Sequence, residues 1–348
     1  MKKRILVAPL NWGLGHAARC IPIINALIEN GFEPMIASDG AALTLLQKEF
    51  PRLSSIELPS YDITYTKNGK FLKLKLLTNT PKLINAIKAE KKSTKNIIEN
   101  NSISGIISDN RLGVYSKKVP SVFITHQLKV LSGSTTWFST KVHEKFIKNF
   151  NACWVPDVET DVNLSGKLGR PETFEIPTTY MGTLSRFEKR YVNIVNDLLV
   201  LLSGPEPQRT LLENKLLGEL KNYAGKVVFV KGLMEKEQTI QLIGNITIYN
   251  FMTSSLLEKT INESALVISR SGYTTVMDLA KLGKKAFFIP TPGQFEQEYL
   301  ATRLTELNLV PSCSQETFTL EKLKDVNDFK GLQSFEHETN FEELFSLF

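Results

Sequence analysis

A glycine-rich turn beside a histidine is the first feature of this 348-residue chain that could do chemistry. Gly13 and Gly15 follow the apolar run 5–10, and His16 stands directly after them. Glycine lets the backbone approach a ligand closely, and the start of a following helix offers free N–H groups. The imidazole of His16 can point into a cleft there, which makes it a candidate general base. A histidine that only caps the helix is the alternative.

Polar side chains also end two further predicted strands in the same half of the chain. Asp109 follows the strand 103–108, and His126 and Gln127 lie at the end of the strand 121–125. Ligands in open α/β sheets bind outside the carboxyl ends of the strands. Asp109 could therefore orient a hydroxyl group or act as a base, or it could instead cap a helix. Two of the four histidines fall at strand ends, which suggests a shared pocket.

The richest segment runs from Ser271 to Asp278. A predicted strand leads into Ser271 and Gly272, and a predicted helix begins just before Thr275. Free N–H groups at that helix start could hold a diphosphate without a metal ion. Asp278 lies about one turn further along and could accept hydrogen bonds from two vicinal ribose hydroxyls. The alternative is an ordinary capped helix with a surface aspartate.

Other glycine turns are weaker signals. Ser203 and Gly204 end a predicted strand and could face a phosphate, but this turn has a single glycine. The turn before His16 lacks the third glycine of a dinucleotide fingerprint, because Ala18 stands there. Asp39 is the only acidic candidate near the position that binds the ribose of NAD. A nicotinamide oxidoreductase is therefore disfavoured.

Composition places the chain among globular proteins that favour anionic partners. Lysine and arginine outnumber aspartate and glutamate by 42 to 36, a formal charge of +6. Hydrophobic residues make up 42% and charged residues 22%, which argues against disordered and fibrous structures. The three cysteines lie far apart without a CxxC pair, so neither a zinc site nor a disulfide framework is predicted, and a reducing, cytoplasmic compartment is favoured. No apolar stretch approaches the ~20 residues that span a bilayer.

Short β-rich runs alternate with longer helical patterns, which is typical of parallel sheets covered by helices on both faces. The predicted strands are residues 5–9, 33–38, 54–58, 103–108, 121–125, 197–202, 226–230, 246–249, 266–269 and 285–290. The predicted helices are residues 17–29, 41–50, 206–223, 274–283 and 294–308. The pattern predicts an α/β protein with two doubly wound domains, residues 1–180 and 181–325. Residues 326–348 are expected to form a terminal helix that packs back on the protein.

Residues 67–95 are unusually basic. Their lysines are interleaved with leucines and isoleucines, and Glu90 is the single acid. One interpretation is a solvated insertion whose lysine stems cover the core. The other is an amphipathic segment that touches anionic lipid head groups.

The chain resembles the inverting nucleotide-sugar glycosyltransferases of family 28. The resemblance is carried by the segment 270–278, which contains Arg270, Ser271, Gly272, Thr275 and Asp278. The resemblance is thin over most of the chain and densest at residues 266–300, but the turn before His16 and the pair His126-Gln127 also match. It implies the GT-B architecture, in which two Rossmann-like domains face each other across a cleft. The first domain would bind the acceptor and the second the nucleotide sugar.

The resemblance assigns the candidate residues to two sides of the cleft. The donor side comprises Arg186, Ser203, Gly204, Met252, Ser271, Gly272, Thr275, Asp278, Gln297 and Glu298. The acceptor side comprises Gly13, Gly15, His126 and Gln127. His16 or Asp109 would be the catalytic base.

For the donor-side residues, the resemblance also implies which part of the nucleotide sugar each one would contact. Ser271 and Gly272 would face the diphosphate with Thr275 close by, and Asp278 would hold the ribose. The backbone of Met252 would read the uracil edge. Arg186 would approach the phosphates, and Gln297 and Glu298 would bind sugar hydroxyls.

Three positions depart from the family pattern. Asp278 stands where glutamate is usual, and Ser203-Gly204-Pro205 replaces Gly-Gly-Ser, so that one N–H donor is lost. Glu298 stands where a second glutamine is common. The particular sugar and acceptor are therefore left open.

The expected activity is that of a hexosyltransferase. It would transfer a hexose or N-acetylhexosamine from a UDP-sugar to a hydroxyl of a lipid-linked or cell-surface glycan, with inversion, without a metal and with no cofactor besides the donor. The expected partners exclude nucleic acid and include an anionic membrane surface at residues 67–95, at the cytoplasmic face of the plasma membrane. A UDP-N-acetylglucosamine 2-epimerase-like enzyme and a non-catalytic binding protein for nucleotide sugars or membrane surfaces are the alternatives.

Overall fold

Two sheets of mainly parallel strands organise the protein. The computed structural model describes residues 2–61, 80–160, 163–171, 174–332 and 339–348. The strands of the first sheet are β1 (Arg4–Pro9), β2 (Glu33–Ser38), β3 (Ser55–Glu57), β4 (Ile103–Asp109), β5 (Ser121–Ile124), β6 (Ala152–Val155) and β7 (Thr178–Tyr180). They are all parallel, in the order β3-β2-β1-β4-β5-β6-β7.

Helices cover this first sheet. They are α1 (Gly15–Glu29), α2 (Gly40–Glu49), α3 (Thr80–Asn101) and α4 (Thr136–Ile147). Helix α1 forms because its apolar residues recur at helical spacing, and it buries Ile21, Ile24 and Leu27. It ends at Asn30 and Gly31, where the glycine takes a φ of 81°.

The second sheet has one strand that the sequence did not predict. Its strands are β8 (Asn196–Leu201), β9 (Val227–Val230), β10 (Ile240–Ile243), β11 (Ile246–Tyr249), β12 (Ser264–Ser269) and β13 (Ala286–Phe288), in the order β10-β11-β9-β8-β12-β13. All are parallel except β10, which forms an antiparallel hairpin with β11. The helices of this half are α5 (Gln208–Leu220), α6 (Ser254–Asn262), α7 (Tyr273–Leu282) and α8 (Phe295–Glu306).

This arrangement confirms the predicted α/β fold with two doubly wound, Rossmann-like domains. Strands β1, β4 and β5 end on one side of the first sheet, next to the residues predicted to do chemistry. Strand β12 ends at Ser269, shortly before the loop that contains Gly272. The division of the chain at residues 180 and 325 stays a prediction.

The chain end returns to the first domain. After a 3₁₀ stretch (Leu320–Asp328), the short helix α9 (Phe341–Phe345) packs its aromatic side chains there. The ring of Phe345 lies 5.7 Å from that of Phe32 and 6.3 Å from that of Trp154. Lys3 also donates a hydrogen bond to the carbonyl of Phe348.

Only part of the lysine-rich segment falls within the described residues. Residues 67–79 lie outside them, and the rest belongs to α3. There the lysines at 82, 88, 91, 92 and 95 are exposed. Glu90 is buried instead, and it binds Arg111 at 2.6 Å and the hydroxyl of Tyr61. No helix within the described ranges is long and apolar enough to span a bilayer.

Candidate active site

Three glycine turns meet where the two domains face each other. The hydroxyl of Thr274, at the start of α7, donates a hydrogen bond of 3.1 Å to the carbonyl of Gly15, at the start of α1. A Cβ atom added to Gly13 would lie 3.8 Å from the Cα of Gly204. Gly13 and Gly204 have φ values of 75° and 103°, a region that favours glycine. The turns at residues 13–15, 203–204 and 271–272 therefore line one interdomain cleft.

Two of the helices that follow these turns begin without a side-chain cap. Among the described residues, no side chain hydrogen-bonds the start of α1 or α7. At the start of α5, the carboxylate of Glu206 accepts a hydrogen bond from the backbone of Thr210 at 3.2 Å. The first N–H groups of a helix have no partner within the helix, and the helix dipole places partial positive charge there. Two such starts face each other at Gly15 and Thr274, a setting that favours an anion.

His16 has one ring nitrogen occupied and one available. Its Nδ1 lies 2.8 Å from Oδ1 of Asp109, and its side chain is 14% exposed. No hydrogen bond within the described residues reaches its Nε2. Burial lowers the pKa of His16, and nearby Arg19 adds to this, although Asp109 opposes it. A neutral imidazole that donates through Nδ1 to Asp109 leaves the lone pair of Nε2 free to take a proton.

Asp109 is completely buried and engaged on both oxygens. Arg19 donates to Oδ2 through Nε and to Oδ1 through Nη2. Burial raises the pKa of Asp109, but Arg19 and His16 outweigh burial and hold the pKa at about 2. A carboxylate so acidic and so enclosed does not fit the role of a base, and no helix follows β4 for it to cap. Asp109 instead orients His16.

The second domain contributes a carboxylate to the same cluster. Glu296 accepts a hydrogen bond of 2.8 Å from Nε2 of His126 and another from the side chain of Gln127. The ring of His126 also stacks on Tyr273, with the ring centres 4.1 Å apart. His126 and Gln127, two of the residues assigned to the acceptor side, thus contact the second domain.

The glycine turn before α7 offers space at Gly272 rather than at Ser271. Ser271 is completely buried, and its hydroxyl donates a 2.7 Å hydrogen bond to the carbonyl of Gln297. A Cβ atom added to Gly272 would have no heavy atom within 4 Å from any described residue beyond its two chain neighbours. Thr275 is half-buried in the first turn of the helix. The open part of the predicted diphosphate site is therefore the backbone at Gly272.

Asp278 faces the segment that joins the domains. It is buried, and it accepts hydrogen bonds from the hydroxyl of Ser185, at 2.7 Å, and from the backbone of Arg186. Burial raises its pKa to about 6, against the opposing charge of Arg186. The interpretation of Asp278 as a surface residue is wrong, because α7 buries this face. Arg186 donates to Ser254 at 3.1 Å, while its buried Nε has no hydrogen-bond partner among the described residues.

The remaining donor-side residues hold the loop before α8. The side chain of Gln297 accepts from the backbone of Thr291 at 2.8 Å, and that of Glu298 accepts from the backbone of Gly293 at 2.7 Å. Met252 is buried and receives a contact from the hydroxyl of Thr260 at 3.6 Å from its sulfur. Among the described residues, no group of three or more histidine, cysteine, aspartate or glutamate side chains is placed to hold a metal ion.

Four residues of this site were not assigned from the sequence: Arg19, Ser185, Tyr273 and Glu296. Arg19 follows His16 by three residues on α1, a spacing that places both on one helix face and could have indicated the contact. Glu296 lies 170 residues from His126. No local pattern connects that pair.

Comparisons with known proteins agree with this geometry. Residues 209–338 match the family model of the glycosyltransferase family 28 C-terminal domain. A protein of Glaesserella parasuis named UDP-N-acetylglucosamine--N-acetylmuramyl-(pentapeptide) pyrophosphoryl-undecaprenol N-acetylglucosamine transferase is 24% identical over 337 residues, which cover 93% of this chain and 88% of that protein.

Solved structures show the same fold. The spinosyn forosaminyltransferase SpnP aligns with a TM-score of 0.60 at 14% identity, over 95% of this chain and 92% of that one. The crystal structure of Acinetobacter baumannii MurG aligns with a TM-score of 0.55 at 14% identity, over 100% of this chain and 99% of that one.

Fold, cleft and family match together define a glycosyltransferase with the GT-B architecture, and the predicted hexosyltransferase class is confirmed. Within that class, the chain is similar to the enzymes of family 28, so the predicted resemblance is also confirmed.

Proposed function

We propose that this protein transfers a hexose or N-acetylhexosamine from a UDP-sugar to a hydroxyl group of a lipid-linked or cell-surface glycan, with inversion and without a metal ion. One observation carries the proposal: the uncapped starts of α1 and α7 meet at Gly15 and Thr274, within the same cleft as His16. The printed name of the Glaesserella parasuis relative describes a UDP-sugar donor and an undecaprenol-linked acceptor. The proposal extends both classes of substrate to this protein.

The donor diphosphate would lie against the backbone at Gly272, where the space beside the glycine is open. The N–H groups of the first turn of α7 would bind its oxygens, with Thr275 nearby and the turn at Ser203-Gly204 opposite. Arg186 is charged, and its buried Nε, which has no partner in the described part of the chain, could be directed at the phosphates. These groups supply the positive charge that the leaving diphosphate needs, so the proposal requires no metal.

The nucleoside and the sugar would occupy the flanks of that site. Asp278 would bind the ribose hydroxyls, sharing its carboxylate with Ser185. The backbone of Met252 would bind the uracil edge, and Gln297 and Glu298 would bind hydroxyls of the sugar. The last two already order the loop before α8, so sugar contacts would be added to a fixed frame.

The reaction would be a single displacement. The acceptor, bound near Gly13, Gly15 and Gln127, would place its hydroxyl against Nε2 of His16. As the hydroxyl oxygen forms its bond to the anomeric carbon, the bond from that carbon to the diphosphate breaks, and the hydroxyl proton passes to His16. Asp109 would stabilise the resulting imidazolium, and attack from the face opposite the leaving group inverts the anomeric centre.

A membrane surface is the proposed setting for a lipid-linked acceptor, at the cytoplasmic face of the plasma membrane. The exposed lysines of α3 carry positive charge on the first domain. Helix α4 of the same domain exposes Trp137 by 73% and Phe138 by 63%, beside Lys141 and Lys145. Exposed aromatic residues flanked by lysines are typical of helices that bind membrane interfaces.

The experiment that tests the proposed function combines binding and transfer. Thermal shift with UDP, UDP-glucose, UDP-N-acetylglucosamine, dTDP-glucose and NADH, all in EDTA, is expected to be led by the UDP compounds. Radiolabelled sugar should then pass to undecaprenyl diphosphate-linked glycan in detergent, and NMR of the product should show the inverted anomer. Conversion of UDP-N-acetylglucosamine to its 2-epimer without an acceptor, or no response to any UDP compound, would overturn the proposal.

A further inference from the structure

A continuous series of hydrogen bonds joins the second domain to the proposed base. Glu296 binds Nε2 of His126 at 2.8 Å, and Nδ1 of His126 lies 3.1 Å from Nη1 of Arg19. Arg19 binds Asp109, which binds Nδ1 of His16 at 2.8 Å. The series crosses the interdomain cleft once, between His126 and Glu296.

The chemistry of Arg19 determines where the proton of His126 lies. A guanidinium can only donate, so Nδ1 of His126 must accept from it. The proton of His126 is then on Nε2 and is donated to Glu296. At the other end, Asp109 accepts from Nδ1 of His16, which leaves Nε2 of His16 unprotonated. Nη2 of Arg19 carries two protons and lies near both Oδ1 of Asp109 and Nδ1 of His16, at 2.9 Å from the latter, so the proton on Nδ1 of His16 is part of the proposal below.

The groups around His126 support this assignment. Burial raises the pKa of Glu296, but His126 outweighs burial, so the pKa falls below the ordinary value and Glu296 is ionised. His143 of α4 is the further titratable group that acts on His126, and burial lowers its pKa to about 4, so it is neutral. The ring of Tyr273 covers one face of His126. Arg19 and Glu296 are thus the charged partners of this imidazole.

We propose that Glu296 is a positioning residue that couples contact between the two domains to the orientation of the catalytic base. With the domains together, Glu296 accepts the Nε2 proton of His126, Nδ1 of His126 then accepts from Arg19, and Arg19 holds Asp109 against His16. With the domains apart, His126 loses its carboxylate partner and Arg19 loses one fixed acceptor. This inference deepens the proposed function, because it takes His16 as the base.

Histidine NMR tests the coupling without any substrate. The chain has four histidines, so ¹⁵N-labelled imidazoles can be assigned by single substitutions. We expect His126 with its proton on Nε2 and His16 with its proton on Nδ1. In Glu296→Gln, His126 loses its anionic partner, so Arg19 holds Asp109 less firmly against the His16 imidazolium, and the titration midpoint of His16 should fall by about half a pH unit. Glu306→Gln removes the same charge from an exposed position of the same helix and should leave it unchanged.

A second background separates coupling through His126 from direct attraction across space. In His126→Gln, Glu296→Gln should no longer move the titration of His16. The proposal would be overturned if Glu296→Gln moved the titration midpoint of His16 equally in the wild-type and His126→Gln backgrounds, or in neither of them. If Glu296→Gln fails to fold, the histidine tautomers of the wild-type protein test the proposal instead. A proton on Nδ1 of His126 would contradict the hydrogen-bond series.

Kinetics and binding keep this inference distinct from the proposed function. Glu296→Gln should lower kcat about 10- to 100-fold, as expected for a misplaced base, with UDP affinity unchanged. Loss of UDP affinity together with turnover would instead make Glu296 a donor-binding residue and overturn the proposal. Failure of the wild-type protein to bind UDP would refute the proposed function, while the NMR result would still decide the coupling.

Discussion

The hydroxyl of Thr274 in the second domain donates a hydrogen bond to the carbonyl of Gly15 in the first domain. A Cβ atom on Gly15 would lie 3.1 Å from that same hydroxyl oxygen, so the contact depends on a residue without a side chain. Because this bond joins the starts of α1 and α7, it brings two positive helix ends to one point. The charge that we propose for the diphosphate site is therefore created by the meeting of the domains.

Gly272→Ala tests the diphosphate site with little risk to folding. The added methyl group would have no heavy atom within 4 Å, and the backbone φ of −70° suits alanine. The fold should therefore be unchanged, while the methyl group occupies the space proposed for phosphate oxygens. UDP affinity, measured by calorimetry, should fall about tenfold or more, with Tm within a degree or two of the wild type.

Gly218→Ala is the matched control, because its Cβ atom would also lie in open space, but on α5. It should leave UDP affinity unchanged. Unaltered UDP binding in Gly272→Ala would mean that the diphosphate lies elsewhere.

His16→Gln tests the base. The variant keeps a polar side chain but cannot take up a proton, so kcat should fall about 10²- to 10⁴-fold with UDP affinity retained. In the wild type, the acidic limb of kcat/KM should lie below pH 6.5, because burial lowers the pKa of His16. Turnover near the wild-type value in the variant, at any pH, would assign the proton transfer to another group.

Asp278→Asn tests the ribose contact through pH. Ribose hydroxyls donate to an ionised carboxylate, and the pKa of Asp278 is raised to about 6 by burial. UDP affinity of the wild type should therefore rise between pH 5 and pH 7. In the variant, UDP affinity should be about tenfold weaker at pH 7 and should no longer follow this pH change.

The same substitution should alter stability in a direction fixed by linkage. A carboxyl group whose pKa is higher in the folded state stabilises the fold fully at a pH below its unfolded-state pKa. That stabilisation is lost as the pH rises through its folded-state pKa. The pKa of Asp278 is raised from 3.8 to about 6, so at pH 7 the wild type holds a buried charge that asparagine lacks. The free energy of unfolding of Asp278→Asn should therefore exceed that of the wild type at pH 7 by roughly 1–3 kcal/mol. Urea unfolding at pH 4 and pH 7 measures this, with the exposed Asp325→Asn as control. If the free energy of unfolding differed between variant and wild type by the same amount at pH 4 and at pH 7, burial would not be raising the pKa of Asp278.

Trp137→Ser and Phe138→Ser test the membrane surface. Burying one aromatic side chain contributes about 1.5–3 kcal/mol, so each substitution should lower partitioning into phosphatidylglycerol vesicles about tenfold or more. Tyr191→Ser removes an aromatic ring that is 95% exposed in the interdomain segment and should have no effect. Equal losses in all three variants would indicate nonspecific adsorption.

The strands and helices that carry the site were largely predictable from the sequence. Residues 33–38 were predicted as a strand and form β2 with those bounds, and the predicted helix 17–29 is α1 with two more residues at its start. Periodicity succeeds here because each element buries one face in a core. Strands β6, β7 and β10 were not predicted. The four residues of β10 are all exposed at the edge of the sheet and show no such pattern.

The chemistry of single residues was less predictable. The sequence placed Asp109 at a strand end but left its role open between base, orienting group and helix cap. Its two bonds to Arg19 removed the first option, because a buried carboxylate paired with a guanidinium stays ionised and enclosed.

Local order along the chain was enough to specify two wound domains and a glycine turn before His16, because strand and helix periodicity are properties of neighbouring residues. The partners of each charged group could not be specified in this way. Glu296 meets His126, and Ser185 meets Asp278, only after two separately wound domains pack together. Protonation depends on such distant neighbours and on burial, and both are set by packing in three dimensions.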